Sequence, residues 1–280
     1  MNIVLSRYQA APLLAGRAAG ASSALTSLDL GRTLAEVHLD ADGARLGDAL
    51  LTWARIEEIA ESETSCFAVV GGAATKIQQF SEDTGRVYTL YPTAGAPTML
   101  VSGIPMHRIK GIDPIEDTRR KVRTIAALTG RVLDTATGLG YTAIEAVRLG
   151  GASVLSIEVD PAATEIARAN PWSRDLFDDA RIERRIGDSF EVVAELPDAS
   201  FEAVIHDPPQ FSLAGELYSL EFYRQLHRVL VPGGKLFHYI GDPESKMSGN
   251  VTRGVLRRLE EAGFRGVKRR PEAFGVTTVR

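Results

Sequence analysis

The stretch "VLDTATGLGYTA", from Val132 to Ala143, contains the features that decide the fold of the C-terminal part of the chain. Its apolar start is typical of a buried strand, and its two glycines allow a tight turn whose backbone can come close to a ligand. A helix is predicted to follow the turn, and its first N–H groups would point at the same place. The stretch therefore predicts a strand, a glycine loop and a helix.

The same alternation continues to the C-terminus. Further strands are predicted in "SVLSIEVD", "RIERRIGDS", "FEAVIHDPP" and "GKLFHYIGD", with helices in "PAATEIARANP", "LEFYRQLHRVLVPGG" and "NVTRGVLRRLEEAGF" between or after them. The last segment, "RGVKRRPEAFGVTTVR", is typical of a closing antiparallel hairpin. This order predicts a mostly parallel sheet covered by helices, which binds ligands at the carboxyl ends of its strands.

The N-terminal part has a different sequence pattern, in which short strand-like runs are separated by glycine and acidic turns. We therefore predict two domains, a small α+β domain over 1–112 and a parallel-sheet domain over 113–280. "DALLTWARIEEIAES" has helical spacing and predicts one helix with Leu50, Leu51, Ala54, Ile56 and Ile59 on its apolar face. A second helix is predicted from Asp113-Pro114 to Gly130.

The composition excludes several classes of protein. The 280 residues are 44% hydrophobic and 24% charged, as in an ordinary soluble protein, and no apolar run has the length of a membrane span. The single cysteine, Cys66, excludes an internal disulfide and a cysteine-built zinc site and is typical of a cytoplasmic protein; no metal is predicted. The net charge of −4 gives no overall attraction to nucleic acid.

The charge is nevertheless uneven along the chain. Residues 251–280 contain eight Lys or Arg residues and three acids, an excess of five positive charges. Such a segment is either a solvated helix face or a surface that meets phosphates. A second basic run lies at Arg119, Arg120, Lys121 and Arg123, and the same two interpretations apply to it.

Four successive predicted strands end in a carboxylate: Asp134, Glu158, Asp188 and Asp207. Single acids are common at such positions because they cap helices, but four at one edge of a sheet predict a ligand site. Glu158 lies eighteen residues after Gly140, a spacing at which a carboxylate can accept hydrogen bonds from both ribose hydroxyls. Asp188 can contact an adenine edge, with Ser189 or Phe190 beside the ring.

The motifs "VLDTATGLG", "IEVDP", "GDSF" and "DPPQF", in this order, resemble class I S-adenosylmethionine-dependent methyltransferases over about 113–280. The resemblance implies S-adenosyl-L-methionine as cofactor and a Rossmann-like sheet. It also implies substrate recognition by the domain over 1–112 and cofactor binding by the domain over 113–280. The cofactor-binding residues that it implies are Asp134, Ala136, Thr137, Gly138, Gly140, Tyr141, Glu158, Val159, Asp188, Ser189 and Asp207. Ala136 stands where the family commonly has glycine.

In the amino-methyltransferases of that family, an Asp, Asn or Ser is followed by Pro-Pro and an aromatic residue. Asp207-Pro208-Pro209 matches this pattern, while Gln210 takes the place of the aromatic and Phe211 follows it. The resemblance implies that Asp207, Pro208, Pro209 and Phe211 are catalytic, holding an exocyclic amine and stacking on its base. The stacking platform is either Phe211 or a tyrosine elsewhere, among Tyr88, Tyr91, Tyr218 and Tyr239.

The segment "HDPPQFSLAGELYS" resembles a group of archaeal-type methyltransferases linked to the N4 amine of cytidine in ribosomal RNA. RNA is therefore the expected partner, and a small-molecule amine is the alternative. The rival functions are an aminopropyltransferase of the same fold, a non-catalytic RNA-binding module and a nucleotide-dependent oxidoreductase. His206 and His238, near strand ends, are interpreted as packed or hydrogen-bonded residues. The oligomeric state and the number of methyl transfers stay open.

Overall fold

The computed structural model describes residues 3–209, 214–241 and 248–280. The chain divides into two compact units, of which the first is Met1–Pro114 with Ala162–Arg174 and the second is Ile115–Pro161 with Asp175–Arg280. Compactness assigns no role to either unit, so the predicted division into a substrate-recognition and a cofactor-binding domain stays a prediction.

The first unit is rich in short strands. Its elements up to Pro114 are β1 (Ile3–Leu5), α1 (Arg7–Ala18), β2 (Ser23–Thr26), β3 (Ala35–Leu39), β4 (Gly43–Leu46), β5 (Ala49–Thr52), α2 (Trp53–Glu61), β6 (Phe67–Val70), β7 (Ala73–Lys76), β8 (Gln78–Ser81), β9 (Arg86–Tyr91), β10 (Thr98–Val101) and β11 (Ile104–Pro105). Among the described residues these strands pair antiparallel in three sheets, ordered β1-β6-β7, β2-β3-β4-β5 and β11-β10-β9-β8.

The single helix predicted over "DALLTWARIEEIAES" is wrong at its start. Leu50 and Leu51 belong to β5, which pairs with β4, and the helix α2 begins only at Trp53. The buried face of α2 is Trp53, Ile56 and Ile59; Ile56 and Ile59 were predicted there, whereas Ala54, also predicted on this face, is exposed. The error arises because apolar residues in two adjacent strand positions also satisfy a helical pattern when a helix follows directly.

The rest of the chain alternates helices and strands. Its elements are α3 (Pro114–Arg123), β12 (Arg131–Asp134), α4 (Tyr141–Arg148), β13 (Ser153–Glu158), α5 (Pro161–Ala169), α6 (Arg174–Asp178), β14 (Ile182–Ile186), α7 (Ser189–Glu195), β15 (Phe201–His206), α8 (Leu220–Val229), β16 (Leu230–Tyr239), α9 (Ser248–Glu261), β17 (Arg265–Arg270) and β18 (Gly275–Val279). Short 3₁₀ turns lie at Pro171–Ser173, Gly215–Tyr218 and Pro271–Ala273.

The strands β12 to β18 form one seven-stranded sheet in the order β14-β13-β12-β15-β16-β18-β17. The first five of these are parallel, and β18 and β17 close the sheet as an antiparallel hairpin. The predicted fold class, a Rossmann-like sheet of the class I methyltransferase type together with a smaller strand-rich N-terminal domain in the same chain, is confirmed. The strand order reverses between β12 and β15, and a crevice at such a reversal is where α/β sheets bind ligands.

The core of the second unit explains why its helices form where they do. In α8 the buried residues Phe222, Tyr223, Leu226 and Val229 recur at helical spacing, and Ser219 caps the helix by accepting a hydrogen bond from the N–H of Phe222. These side chains join a cluster of buried apolar residues from β12, β13, β15 and β16. The sheet edge is thereby backed by a packed core.

The predicted helix over Asp113–Gly130 is shorter in the structure, because α3 ends at Arg123. Both the N–H and the hydroxyl of Thr124 donate to the carbonyl of Lys121, at 3.2 and 2.6 Å. These bonds replace the next helical hydrogen bonds and end the helix. No helix within the described ranges is long and apolar enough to cross a membrane.

Candidate active site

The glycine loop after β12 requires its two glycines. Gly138 and Gly140 have φ of 52° and 74°, in the left-handed region that favours glycine. The N–H of Gly140 donates to the carbonyl of Thr137 at 2.7 Å, and a Cβ on Gly140 would lie 2.5 Å from the Leu176 side chain. The loop therefore presents backbone at the start of α4, and Tyr141, the first residue of α4, is buried.

Glu158 at the end of β13 is joined to this loop. Its Oε2 accepts a hydrogen bond from the N–H of Gly138 at 2.8 Å, and its Oε1 accepts from the N–H of Asp160 at 3.1 Å. Burial raises the pKa of Glu158, although the N–H groups of Asp160 and Gly138 oppose the rise. A carboxylate has about four acceptor positions, so ribose hydroxyls can still bind to it. Val159 beside it is 51% exposed.

Asp134 at the end of β12 is fully buried. Its Oδ2 accepts hydrogen bonds from Ser156 Oγ at 2.8 Å and Thr142 Oγ1 at 3.0 Å, while its Oδ1 has no hydrogen-bond partner among the described residues. Burial raises the pKa of Asp134 to about 7; Ser156 and Thr142 oppose the rise, and the charge of Asp207 adds to it. A buried acceptor atom without a partner is unusual, so Oδ1 is a candidate acceptor for a bound group.

Thr137 and Ala136 lie between the end of β12 and the glycine loop. Thr137 is buried, its N–H donates to the carbonyl of Ile157 at 2.9 Å, and its hydroxyl lies 2.7 Å from the hydroxyl of Ser156. Ala136 is half-buried. Thr137 therefore joins the loop to β13.

Asp188, after β14, caps α7 by accepting a hydrogen bond from the N–H of Phe190 at 2.7 Å. The two residues expected beside an adenine ring have contacts of their own. The buried hydroxyl of Ser189 donates to the carbonyl of Thr135 at 2.6 Å, and the ring of Phe190 stacks on Phe222 with centroids 5.9 Å apart. The sequence reasoning did not single out Ile186, which is 50% exposed beside Asp188 and pairs with Glu158 in the sheet.

Asp207, which follows β15, is held by a lysine that the sequence reasoning did not place in the site. Lys121 Nζ lies 2.7 Å from Asp207 Oδ2 and 3.2 Å from Asp117 Oδ2, and its side chain is 1% exposed. The ammonium also lies 4.5 Å from the centre of the half-buried Tyr239 ring. The phosphate-facing interpretation of Lys121 is therefore wrong, because the side chain points into the protein.

The neighbours of Lys121 in the basic run have ion pairs of their own. Arg119 lies 3.6 Å from Glu145, and Arg120 lies 3.2 Å from Glu116 one helical turn away. Both arginines are partly exposed, with side-chain exposures of 41% and 45%. The run thus divides into a solvated face and one buried cation.

The proline turn is supported from behind. Pro208 is buried and Pro209 is half-buried, and the carbonyl of Pro209 accepts a hydrogen bond from the hydroxyl of Tyr218 at 3.0 Å. Tyr218 is only 3% exposed, so its ring packs in the core. Tyr239 is the half-buried aromatic ring at this strand end. Phe211 and Gln210 lie outside the described residues.

His206 and His238 are packed in the protein interior close to the proline turn. His206 lies 2.7 Å from Thr135 Oγ1 and 2.9 Å from the carbonyl of Leu217, and His238 Nε2 lies 2.8 Å from the hydroxyl of Tyr223. Burial lowers the pKa of His206 to about 3 and that of His238 well below its usual value. Both are therefore neutral, which agrees with the packed interpretation. In the parts of the chain that the structure describes, no group of three or more His, Cys, Asp or Glu side chains is arranged to hold a metal ion.

The sheet order gives the second unit the fold of class I methyltransferases, and residues 132–234 match a family model described as a methyltransferase domain. The protein named "Uncharacterized protein MJ1233" from Methanocaldococcus jannaschii is 44% identical over 227 residues, covering 80% of this chain and 77% of that protein. The chain belongs to the same family as this Methanocaldococcus protein.

Other similarities cover less of the chain or show the fold alone. Polyamine aminopropyltransferase 2 of Streptomyces coelicolor is 34% identical over 123 residues, which are 41% of this chain and only 22% of that protein. The solved spermidine synthase in complex with the transition-state analogue AdoDATO superposes with a TM-score of 0.59 at 19% identity, covering 75% of this chain and 76% of that one. The Thermotoga maritima spermidine synthase gives 0.57 at 18%, with 75% of each chain covered.

Proposed function

We propose that the chain transfers a methyl group from S-adenosylmethionine to an exocyclic amine of a nucleobase, with the N4 amine of cytidine in ribosomal RNA as the acceptor. The observation that carries the proposal is the position of Asp207, the carboxylate proposed to hold the methyl acceptor, next to β12, the strand that leads into the glycine loop. In the sheet register Asp134 pairs with Ile205, so β12, which ends at Asp134, and β15, which Asp207 follows, are direct neighbours.

The described residues fit the cofactor. Glu158 and the glycine loop would hold its ribose, and the buried Oδ1 of Asp134 would accept from its amino group, directly or through water. Val159 and Ile186 give exposed apolar surface on neighbouring strands for the adenine ring, with Asp188 at its edge. When bound, S-adenosylmethionine supplies a methyl group already activated by the sulfonium charge.

With the donor activated, the chain's own contribution is to orient the acceptor. A carboxylate oxygen of Asp207 would accept a hydrogen bond from one N–H of the amine. A backbone carbonyl oxygen of the rigid Pro208-Pro209 turn would accept one from the other N–H. The nitrogen lone pair then points away from them, toward the methyl group. The amine forms the new N–C bond as the S–C bond breaks, and the surplus N–H proton leaves to Asp207 or to water.

A basic surface supports RNA as the partner. The edge strand β17 carries Arg265, Lys268 and Arg269 as exposed residues, and the helix α9 before it carries exposed Arg253 and Arg257. These cations lie within the basic segment 251–280 and suit contacts with a phosphate backbone.

Transfer of an aminopropyl group to a polyamine is the second candidate, favoured by the partial similarity to polyamine aminopropyltransferases and by the shared fold with spermidine synthases. The partial sequence similarity and the shared fold do not distinguish the two donors. The acceptor end distinguishes the two reactions, because a buried ammonium already occupies one oxygen of Asp207, and a protonated polyamine would meet that positive charge.

The experiment compares two donor and acceptor pairs with the same purified protein. One mixture contains S-adenosylmethionine and ribosomal RNA from cells lacking the gene, and the other contains decarboxylated S-adenosylmethionine and spermidine. Mass spectrometry of the RNA nucleosides is expected to show a new N4-methylated cytidine in the first mixture only. An aminopropylated polyamine with unmodified RNA would overturn the proposal and establish the second candidate.

A further inference from the structure

A buried lysine contacts the proposed acceptor carboxylate and a tyrosine ring, and the three residues come from separate parts of the chain. Lys121 extends from α3, Asp207 follows β15, and Tyr239 ends the neighbouring strand β16. The contact between Lys121 and Asp207 joins residues 86 positions apart. It is therefore a tertiary contact made at the strand end itself.

The lysine is charged in this position. Burial by itself lowers the pKa of Lys121, but Asp207 and Asp117 outweigh burial and raise it above its ordinary value. An ammonium is seldom buried without such partners, since the loss of hydration must be offset by ion pairs and hydrogen bonds. Asp117 supplies one of these from the preceding turn of the same helix, at 3.2 Å.

We infer that Lys121 is the positioning residue of the acceptor site: it fixes one oxygen of Asp207 and offsets its charge, so that the carboxylate accepts an uncharged aromatic amine in preference to a protonated alkylamine. This inference rests on the proposed function, because it assigns Asp207 to the acceptor.

The geometry explains both parts of this role. A salt bridge at 2.7 Å to Oδ2 restricts rotation of the Asp207 carboxylate about its own side chain. The ammonium is in direct contact with the same carboxylate that would receive the acceptor, and it also contacts Asp117 at 3.2 Å. A protonated amine there meets a nearby positive charge, whereas a neutral nucleobase amine does not.

The test uses a charge-balanced double variant, Lys121→Met with Asp117→Asn, which removes one buried cation and one buried anion together. Lys121→Met alone would leave two carboxylates without their cation and serves only as a comparison. Lys235→Met is the matched control, since Lys235 is a half-buried lysine of β16 whose Nζ contacts the carbonyl of Ala126 at 3.3 Å.

Three measurements are made on each protein. Calorimetry with S-adenosylhomocysteine should give affinities within about threefold of the unaltered protein, which shows that the cofactor end is intact. The kcat for methyl transfer to RNA from cells lacking the gene should fall by about 100-fold in the double variant, with KM for RNA nearly unchanged, because misplacing a reacting group by about 1 Å has that effect. Lys235→Met should keep the kcat.

The third measurement is calorimetric titration of spermidine into each protein with S-adenosylhomocysteine present. Spermidine should bind the double variant at least tenfold more tightly than the unaltered protein. Unchanged kcat in the double variant, or equal spermidine affinity, overturns the inference. Failure of the proposed function is distinguished by the unaltered protein itself: it would then leave RNA unmethylated while still binding S-adenosylhomocysteine.

Discussion

The Oε2 atom of Glu158 accepts a hydrogen bond from the backbone N–H of Gly138 at 2.8 Å. The two residues lie on neighbouring strand ends, one in the glycine loop and one at the end of β13. Glu158 therefore has two roles in the proposed cofactor site: it holds the loop in place and it presents the acceptor atoms for the ribose.

Replacing Glu158 by Gln is expected to weaken binding of S-adenosylhomocysteine by roughly 10- to 100-fold, because hydrogen bonds to a charged group contribute about 1.5–3 kcal/mol. Isothermal titration calorimetry measures the change. Glu183→Gln, at an exposed acid of the adjacent strand β14, is the control and should bind normally. Undiminished affinity in Glu158→Gln would refute the cofactor assignment.

The raised pKa of Asp134 predicts a pH dependence of cofactor binding. With a pKa of about 7, Asp134 holds a proton in the free protein at pH 6, and a cationic amino group near Oδ1 favours the ionised form. Binding must then release a proton below pH 7, so affinity should rise from pH 6 to pH 7 and level off above it. Titrations in buffers of different ionisation enthalpy detect this proton release.

The matching variant is Asp134→Asn, which has no proton to release at this position. It should bind the cofactor more weakly and lose the rise in affinity between pH 6 and pH 7. If the unaltered protein and the variant show the same pH profile, the titrating group is not Asp134.

Replacing Asp207 by Asn should reduce methyl transfer by at least 100-fold while cofactor affinity at pH 8 changes by less than threefold, because in the proposed site Asp207 contacts the acceptor amine. Single-turnover assays with labelled S-adenosylmethionine measure the transfer. Asp198→Asn, at an exposed acid before the opposite end of β15, is the control and should remain active. Equal losses of transfer and of cofactor affinity would instead make Asp207 a structural residue.

Tyr218→Phe removes the hydrogen bond to the carbonyl of Pro209 and leaves a part-buried acceptor without that donor, at a cost of about 1–3 kcal/mol in stability. Tyr223→Phe removes the bond to His238 and is a close match in burial and chemistry. Thermal unfolding should show both variants destabilised. Only Tyr218→Phe should also lower kcat, and a similar kcat in the two variants would exclude a role of the turn in positioning the acceptor.

The basic edge strand is expected to contribute affinity for RNA but no base selectivity. Replacing Lys268 and Arg269 together by Ala should weaken RNA binding and lower the slope of log K against log salt by about one for each lost phosphate contact. The control is the double replacement of Arg181 and Arg184, two exposed arginines at the opposite edge of the sheet. Filter-binding titrations at several salt concentrations decide the outcome, and an unchanged slope would rule out phosphate contacts at β17.

The sheet could be predicted from the sequence because each of its signals is local. Apolar runs of strand length alternate with helical spacing, and glycines follow the first strand where φ is positive. The four strand-end acids were predicted to meet, and parallel pairing brings the ends of β12, β13, β14 and β15 to one edge. Their binding roles stay predictions.

The acceptor end could not be predicted in the same way, because its contacts are distant in sequence. Lys121 lies within a run of arginines that suggests a solvated face, and only the packing of α3 shows that this one cation is buried. From the sequence, Tyr218 is likewise a candidate for stacking on a base. In the fold its hydroxyl instead donates a hydrogen bond to the carbonyl of Pro209. The start of α2 and the end of α3 were misjudged because the decisive interactions are a strand pairing and a threonine hydrogen bond.

The neutral histidine pair behind the proline turn has one further consequence. Because the pKa of His206 is about 3 and that of His238 is also strongly lowered, mild acid does not charge the support of the turn. A fall in pH from 7 to 6 would therefore leave both histidines neutral and would act on the protonation of Asp134. We therefore expect acid to weaken binding at the proposed cofactor site, through Asp134, at a pH where the histidine pair is still neutral.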